Sequence, residues 1–293
     1  MESESDLREE MRIENFPELY EDVFSSIDDL PTLPEILWEL QGAIQNTQNG
    51  SLEIAIIIEK DPSLAVNVLR LANSAFFGAG EKFLSIKDAV TRVGLKEIER
   101  LARTVLVIDT FSNVAETMDH VLFWRHSLQV AAIAEFLADR NADHCTLIPE
   151  EAYTAGLLHD IGKLLLDQYF SEEFKKVRVY NDLIASTDAE AEQFVLGIDH
   201  GRVGAGLMEF WNLEENIVEA VRWHHAPDSA KAGQQADAEL VRFADAIWHS
   251  RAQDKLDEAA LEHPTFTLTP DDLEILSAKL DGIEINSLLG DLS

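Results

Sequence analysis

Apolar residues recur three and four positions apart along most of this chain, and that spacing admits little besides α-helix. Pro31 and Pro34 precede an apolar set at Ile36, Leu37 and Leu40, as expected where a loop enters a helix. Asp61 and Pro62 read as an N-cap and a first helical residue, after which Leu64, Val68, Leu71 and Ala75 keep helical spacing as far as Gly78. Ser85, with Asp88 three residues later, is a capping-box variant that opens another helix, which Gly94 interrupts. Only the run LEIAIII at 52–58 would also suit a strand, and the helical patterns on both sides make it a helix. Leu273, Leu276 and Leu280 follow Pro270 as a terminal helix. The expected fold is all-α.

No internal repeat, low-complexity tract or Pro/Gly-rich linker divides the 293 residues. The apolar pattern lapses at SNVAETMDH (112–120), the softest boundary. The expected organisation is a disordered acidic arm over 1–15, with folding from near Phe16. An N-terminal helical subdomain (16–115) packs on a metal-binding helical half (116–255), and a C-terminal helical tail (256–293) has a loose end.

Composition narrows the function classes. Cys145 is the only cysteine, so neither an internal disulfide nor a multi-thiolate metal site can form, which fits a reducing cytoplasm. The N-terminus MESESDLREE lacks the basic and apolar regions of a signal peptide, and no apolar run approaches the ~20 residues of a membrane span. A cytoplasmic location without membrane contact is expected. A formal charge of -32 repels phosphates over most of the surface, which argues against DNA as a partner. Residues 82–103 are a local exception, with Lys82, Lys87, Arg92, Lys96, Arg100 and Arg103 against Asp88, Glu97 and Glu99. That stretch suits an acidic protein partner, and its helix–Gly–helix pattern also admits a DNA-binding turn; a solvated face with i,i+4 pairs is the favoured reading.

The second half places histidines and aspartates on the apolar faces of expected helices. His126 shares its face with Val130, Ile133 and Leu137. His200 lies with Val203, Gly204, Leu207 and Trp211, and His224 and His225 follow Ile217 and Val221 on their helix. Asp245 sits between Val241 and Trp248. His159 precedes Asp160, which falls with Gly156 and Leu164; the small residue at 156 would let another helix approach, and Lys163 lies one turn beyond Asp160. A single histidine on an apolar face is normally a hydrogen-bonded core residue. Seven ligand-type residues in one helical core are different, because desolvating them without a cation costs some kcal/mol each. A metal supplies the shared counter-charge. Nitrogen and oxygen donors without sulfur suit iron or manganese first, with zinc, cobalt or nickel also compatible, and a carboxylate can bridge two ions. The expected site is dinuclear, with Asp160 as the bridge.

The block AGLLHDIGKLLLD (155–167) resembles the HD superfamily of metal-dependent phosphohydrolases, named for the adjacent His-Asp pair. A fuller resemblance, over roughly 25–252, is to the HDOD (HD-related output domain) family of bacterial signalling proteins. It rests on LPTLPEIL, KDPSLAVNVLRLANSAFFG, SIKDAVTRVGL, FWRHSLQVA, the HDIGK block, DHGRVGAGLMEFWNL and VRWHHAPD, in that order. It implies a helical fold with an HD-like C-terminal half. The related HD-GYP cyclic-dinucleotide phosphodiesterases use a histidine, an HD pair, a further histidine, an HH pair and an aspartate as ligands. By resemblance these fall on His126, His159 with Asp160, His200, His224 with His225, and Asp245, and the lysine of their HDxxK motif falls on Lys163. Many HDOD members have lost ligands, so the full set here departs from the family's usual pattern. Against that, APDSAKAGQQAD after His225 contains no Gly-Tyr-Pro motif, and Leu122 replaces the carboxylate that some HD-GYP members use for a third metal.

Two functions follow as expectations. One is a signal-transduction output protein with a retained metal site and a protein partner. The other is a metal-dependent phosphohydrolase or phosphodiesterase acting on a nucleotide or other phosphoester, with Asp160 and Lys163 as catalytic residues and no Ser or Cys nucleophile.

Overall fold

The computed structural model describes residues 13, 30–46, 49–73, 82–111, 118–184, 186–252 and 263–281. Among them the secondary structure is helical, with no strand. The arm at 1–15 (Ile13 apart), the start near Phe16, Ala75, Gly78, the lapse at 112–117 and the loose end beyond 281 lie outside the described residues.

The chain divides into two compact units. One comprises residues 31–113, 119–132 and 268–293. Its helices are α1 (Glu35–Gln45), α2 (Ser51–Ile58), α3 (Pro62–Ala72), α4 (Ile86–Val93), α5 (Leu95–Thr110), the first part of α6 (His120–Arg140), and α14 (Pro270–Asp281), which follows the helices named below. Local chemistry sets their ends. Asp61 Oδ1 accepts from the backbone N–H groups of Ser63 (2.9 Å) and Leu64 (3.1 Å), and Ser85 Oγ accepts from Asp88 N–H (3.1 Å). Gly94 ends α4 and starts α5 at φ 104°, a left-handed conformation that a side chain would oppose. Residues 52–58 are helical, and Leu40, Ile54, Ile58, Leu64, Val68, Ile98 and Leu101 form the core. In the basic stretch Arg92 pairs with Asp88, Arg100 with Glu97 and Arg103 with Glu99 at i,i+3 and i,i+4 spacing, the first pair exposed and the other two part-buried.

The other unit comprises residues 1–30, 114–118 and 133–267. After the rest of α6 come α7 (Pro149–Leu158), α8 (Ile161–Tyr169), α9 (Ser171–Ile184), α10 (Asp188–Val195), α11 (His200–Phe210), α12 (Glu215–Arg222), a 3-10 turn (Pro227–Ser229) and α13 (Gln235–Ala252). α8 packs on α11, α11 on α12, and α12 on α7 and α13. The α8–α11 contact is backbone on backbone: a Cβ at Gly162 would lie 2.0 Å from the His200 carbonyl oxygen, and one at Gly204 would lie 3.1 Å from Gly162 N. Buried Asp237 of α13 accepts from Thr146 N–H (2.7 Å) and Leu147 N–H (3.1 Å), pinning the loop before α7.

Candidate metal centre

Within the second unit, helix ends bring the ligand-type side chains together. His159 ends α7, and Asp160 is the residue from which α8 starts. His200 opens α11 behind its N-cap Asp199, whose carboxylate accepts from Arg202 N–H (3.0 Å). His224 and His225 follow the end of α12 at Trp223. This corrects the helix-face expectation for His159, Asp160, His224 and His225, whereas His126 and Asp245 do lie within α6 and α13. Adjacent residues on a helix point about 100° apart, so His159 with Asp160, and His224 with His225, converge because the helix breaks beside them. Gly201 admits the His224 turn, whose ring carbon would lie 3.1 Å from a Cβ there.

His159 Nδ1–H donates to the Gly156 carbonyl (2.8 Å), and His224 Nδ1–H to the Val221 carbonyl (2.6 Å). The His200 ring donates from Nδ1 to Glu192 Oε2 (2.7 Å). In each ring Nε2 is therefore left for the centre, as in metal-binding histidines whose other ring nitrogen donates to an acceptor that fixes the tautomer. His200, His224 and His225 bring three ring nitrogens within 4.8 Å of one another, and the His225 and His200 Nε2 atoms are 2.7 Å apart. Asp160 Oδ1 lies 3.0 Å from His200 Nε2 and 3.5 Å from His159 Nε2. Asp245 Oδ1 lies 3.9 Å from His159 Nε2 and 3.4 Å from that of His249. His126 belongs to the stretch of α6 that groups with the other unit, where it is buried.

The donor set fits a divalent transition metal. His224 is fully buried, and its Nε2 has no hydrogen-bond partner among the described residues. An orphaned lone pair beside two more ring nitrogens is costly in a dry core and favourable against a cation. Burial, with His159 and His200 nearby, holds the His224 pKa well below the usual imidazole range, so the ring stays in its neutral, ligating form.

The anionic side of the centre is held by a lysine. Lys163 Nζ donates to Asp160 Oδ2 (3.0 Å) and lies 3.1 Å from Asp188 Oδ2. Burial opposes its charge, but Asp160, Asp188 and Glu192 outweigh burial and raise its pKa, keeping it an ammonium. Beside His225 opens a cleft of about 750 Å³ lined in part by Asp228, Gln235, Glu239, Arg242 and His263. There Glu239 accepts from Arg242 Nε (2.8 Å) and pairs with His263 Nε2 (2.7 Å). His225 itself is exposed, whereas His200 and His224 are fully buried.

Sequence reasoning missed Asp188 and Glu192. Glu192 carried a signal, because it shares the buried face of α10 with Ala189 and Val195, a carboxylate where an apolar residue is expected.

Comparison with known proteins places this geometry among relatives. The HDOD domain model matches residues 30–227, so Asp245 lies beyond the match. A protein of Treponema pallidum (strain Nichols) described only as uncharacterized is 29% identical over 218 residues; the match covers 70% of this chain and 40% of that relative's length. A crystal structure of an HDOD domain protein of unknown function from Geobacter sulfurreducens superposes with a TM-score of 0.75 at 28% identity, covering 94% of this chain and 97% of that one. A candidate phosphohydrolase from Shewanella amazonensis SB2B gives a TM-score of 0.64 at 25% identity, covering 92% and 91%. A candidate signal transduction protein from Marinobacter aquaeolei VT8 gives 0.65 at 25%, covering 90% of this chain and 59% of that one.

Proposed function

The chain belongs to the HDOD family, and from that membership we propose that it is a bacterial signal-transduction output protein with a retained, dinuclear HD-type metal centre. The observation that carries the metal reading is the convergence of His200, His224 and His225, with the buried His224 Nε2 lacking any other partner among the described residues. In this reading His159, Asp160, His200, His224, His225 and Asp245 hold the metals, and His126 joins them on the strength of the sequence resemblance. Asp160 is the bridge, supported by the proximity of its Oδ1 to both His159 and His200. The oxygen and nitrogen donors favour iron or manganese. The signalling role rests on the family, on the name of the Marinobacter relative, and on the missing Gly-Tyr-Pro segment. Its partner is a protein of the same pathway.

A second reading, a phosphohydrolase or phosphodiesterase, is favoured by the open cleft beside His225 and by the part-buried ammonium of Lys163. Bound metal would supply Lewis acidity and lower the pKa of water. The chain's own part is to hold a phosphoester at Lys163, which must first leave Asp188, and to fix the ligand rings against reorientation. A panel of phosphomonoesters, phosphodiesters, nucleotides and cyclic dinucleotides, assayed with iron or manganese, separates the two. Activity that vanishes in Asp160→Ala and drops sharply in Lys163→Ala establishes the enzyme. A metal-loaded protein inactive on the whole panel leaves the signalling output.

A further inference from the structure

We propose that Glu192 is the positioning residue of the metal centre, orienting His200 and setting the donor strength of its Nε2; the inference rests on the metal reading above. Glu192 has no solvent exposure, and its Oε2 accepts twice from one residue, from the His200 backbone N–H and from the ring Nδ1–H, both at 2.7 Å. Its Oε1 is buried without a hydrogen-bond partner among the described residues. A carboxylate in a dry core is unfavourable unless its charge is used.

The comparison with the neighbouring histidines identifies that use. His159 and His224 are oriented by backbone carbonyls of Gly156 and Val221, each from a residue three positions earlier in the chain. His200 opens a helix, and the carbonyl three positions earlier, that of Gly197, accepts from Gln193 Nε2 (2.8 Å); the acceptor for the His200 ring comes from the Glu192 side chain of α10 instead. A carbonyl fixes a ring, whereas a carboxylate also makes it a more basic ligand. Four residues earlier on α10, Asp188 reaches Lys163. One helix face thus supplies carboxylates to both the ligand histidine and the lysine.

A cap for α11 would account for the bond to the backbone N–H alone. That role predicts a lower melting temperature with metal affinity and ring chemistry unchanged, so the test reads the latter two. Full-length wild type, Glu192→Gln, Glu192→Ala and Glu190→Ala would be titrated with manganese(II) against a competing chelator. Metal-free, ¹⁵N-histidine-labelled samples would report the His200 Nδ1–H. Glu190 accepts from Thr187 N–H and Oγ–H at the start of α10, so its loss loosens the helix without touching His200.

Glu192→Gln, which keeps the shape and removes the charge, should weaken manganese binding by roughly 10–100-fold, and Glu190→Ala should not. Glu192→Ala should abolish the exchange-protected Nδ1–H signal; if that variant does not fold, the glutamine variant decides. Wild-type affinity in Glu192→Gln, or an equal loss in Glu190→Ala, overturns the inference while leaving the metal centre intact. A wild type that takes up neither manganese nor iron refutes the metal centre, and this inference with it.

Discussion

Replacing Gly162 by alanine sets a methyl group against the backbone of α11. The added carbon would lie 2.0 Å from the His200 carbonyl oxygen and 2.8 Å from both the His200 carbonyl carbon and Gly204 N. A carbon normally approaches a carbonyl oxygen no closer than about 3.3 Å, so α8 and α11 must separate by more than an ångström. No rotamer relieves the clash, because every obstacle is main chain. Overpacking of this kind costs about 3 kcal/mol, the upper end of the usual range. Alanine's advantage over glycine in a helix returns at most about 1 kcal/mol, and less at this position in the first turn. The net loss of about 2–3 kcal/mol corresponds to a fall in Tm of roughly 3–5 °C for a chain of this size. Since His200 rides on the displaced backbone, metal content should fall too. Gly42 of α1 is the control: nothing lies within 4 Å of a Cβ there, so Gly42→Ala should stabilise by roughly 0.5–1 kcal/mol. Thermal melts followed by circular dichroism measure both. A Gly162→Ala protein melting at or above wild type would refute the close contact of α8 with α11.

The metal-free protein should be most stable near neutral pH. His224 is held neutral by burial and by His159 and His200, so stability falls as pH drops below the unfolded value of 6.5. For His200 burial opposes the charge, but Glu192 and Asp160 together outweigh burial and the pKa is pushed up to about 10, so that contribution is full below 6.5 and lost as pH rises through about 10. Melts of chelator-treated protein across this range check both limbs, and a Tm that only rises with pH would contradict them. Lys163→Met leaves the buried Asp160 carboxylate with His200 as its remaining cation in the metal-free protein, which should lose about 3 kcal/mol, the lower end of the range for a broken buried pair, and the metal-loaded protein less; equal losses in paired melts would count against metal beside Asp160. Burial and the Asp237 carboxylate push the Cys145 thiol up to about 11, so it should react slowly with a thiol reagent at pH 7, and Cys145→Ala should leave metal content unchanged.

Much of the fold was legible because its signals are local. Three- and four-residue spacing marks a helix anywhere, and Asp61, Ser85 and Gly94 act within one turn of their own backbone. The ligand residues were legible because histidine and aspartate are conspicuous on an apolar face. The helix breaks at 159–160 and 223–225 were not, since nothing in LLHDIGK forbids a continuous helix and Pro227 in VRWHHAP stops one only after the histidine pair, so tertiary packing decides. Glu192 was legible only in part: in DAEAEQFV it shares a face with Ala189 and Val195, but exposed carboxylates flank it, and its partner His200 is set by the seat of α10. The Gly162–Gly204 contact depends on residues 42 positions apart.

The central claim is that these histidines and aspartates hold metal, and elemental analysis of freshly purified, chelator-free protein tests it most directly. About two transition-metal ions per chain are expected, iron or manganese ahead of zinc, with the load lost in Asp160→Ala. Protein that carries no metal, and takes up none on reconstitution with iron or manganese, would contradict the account.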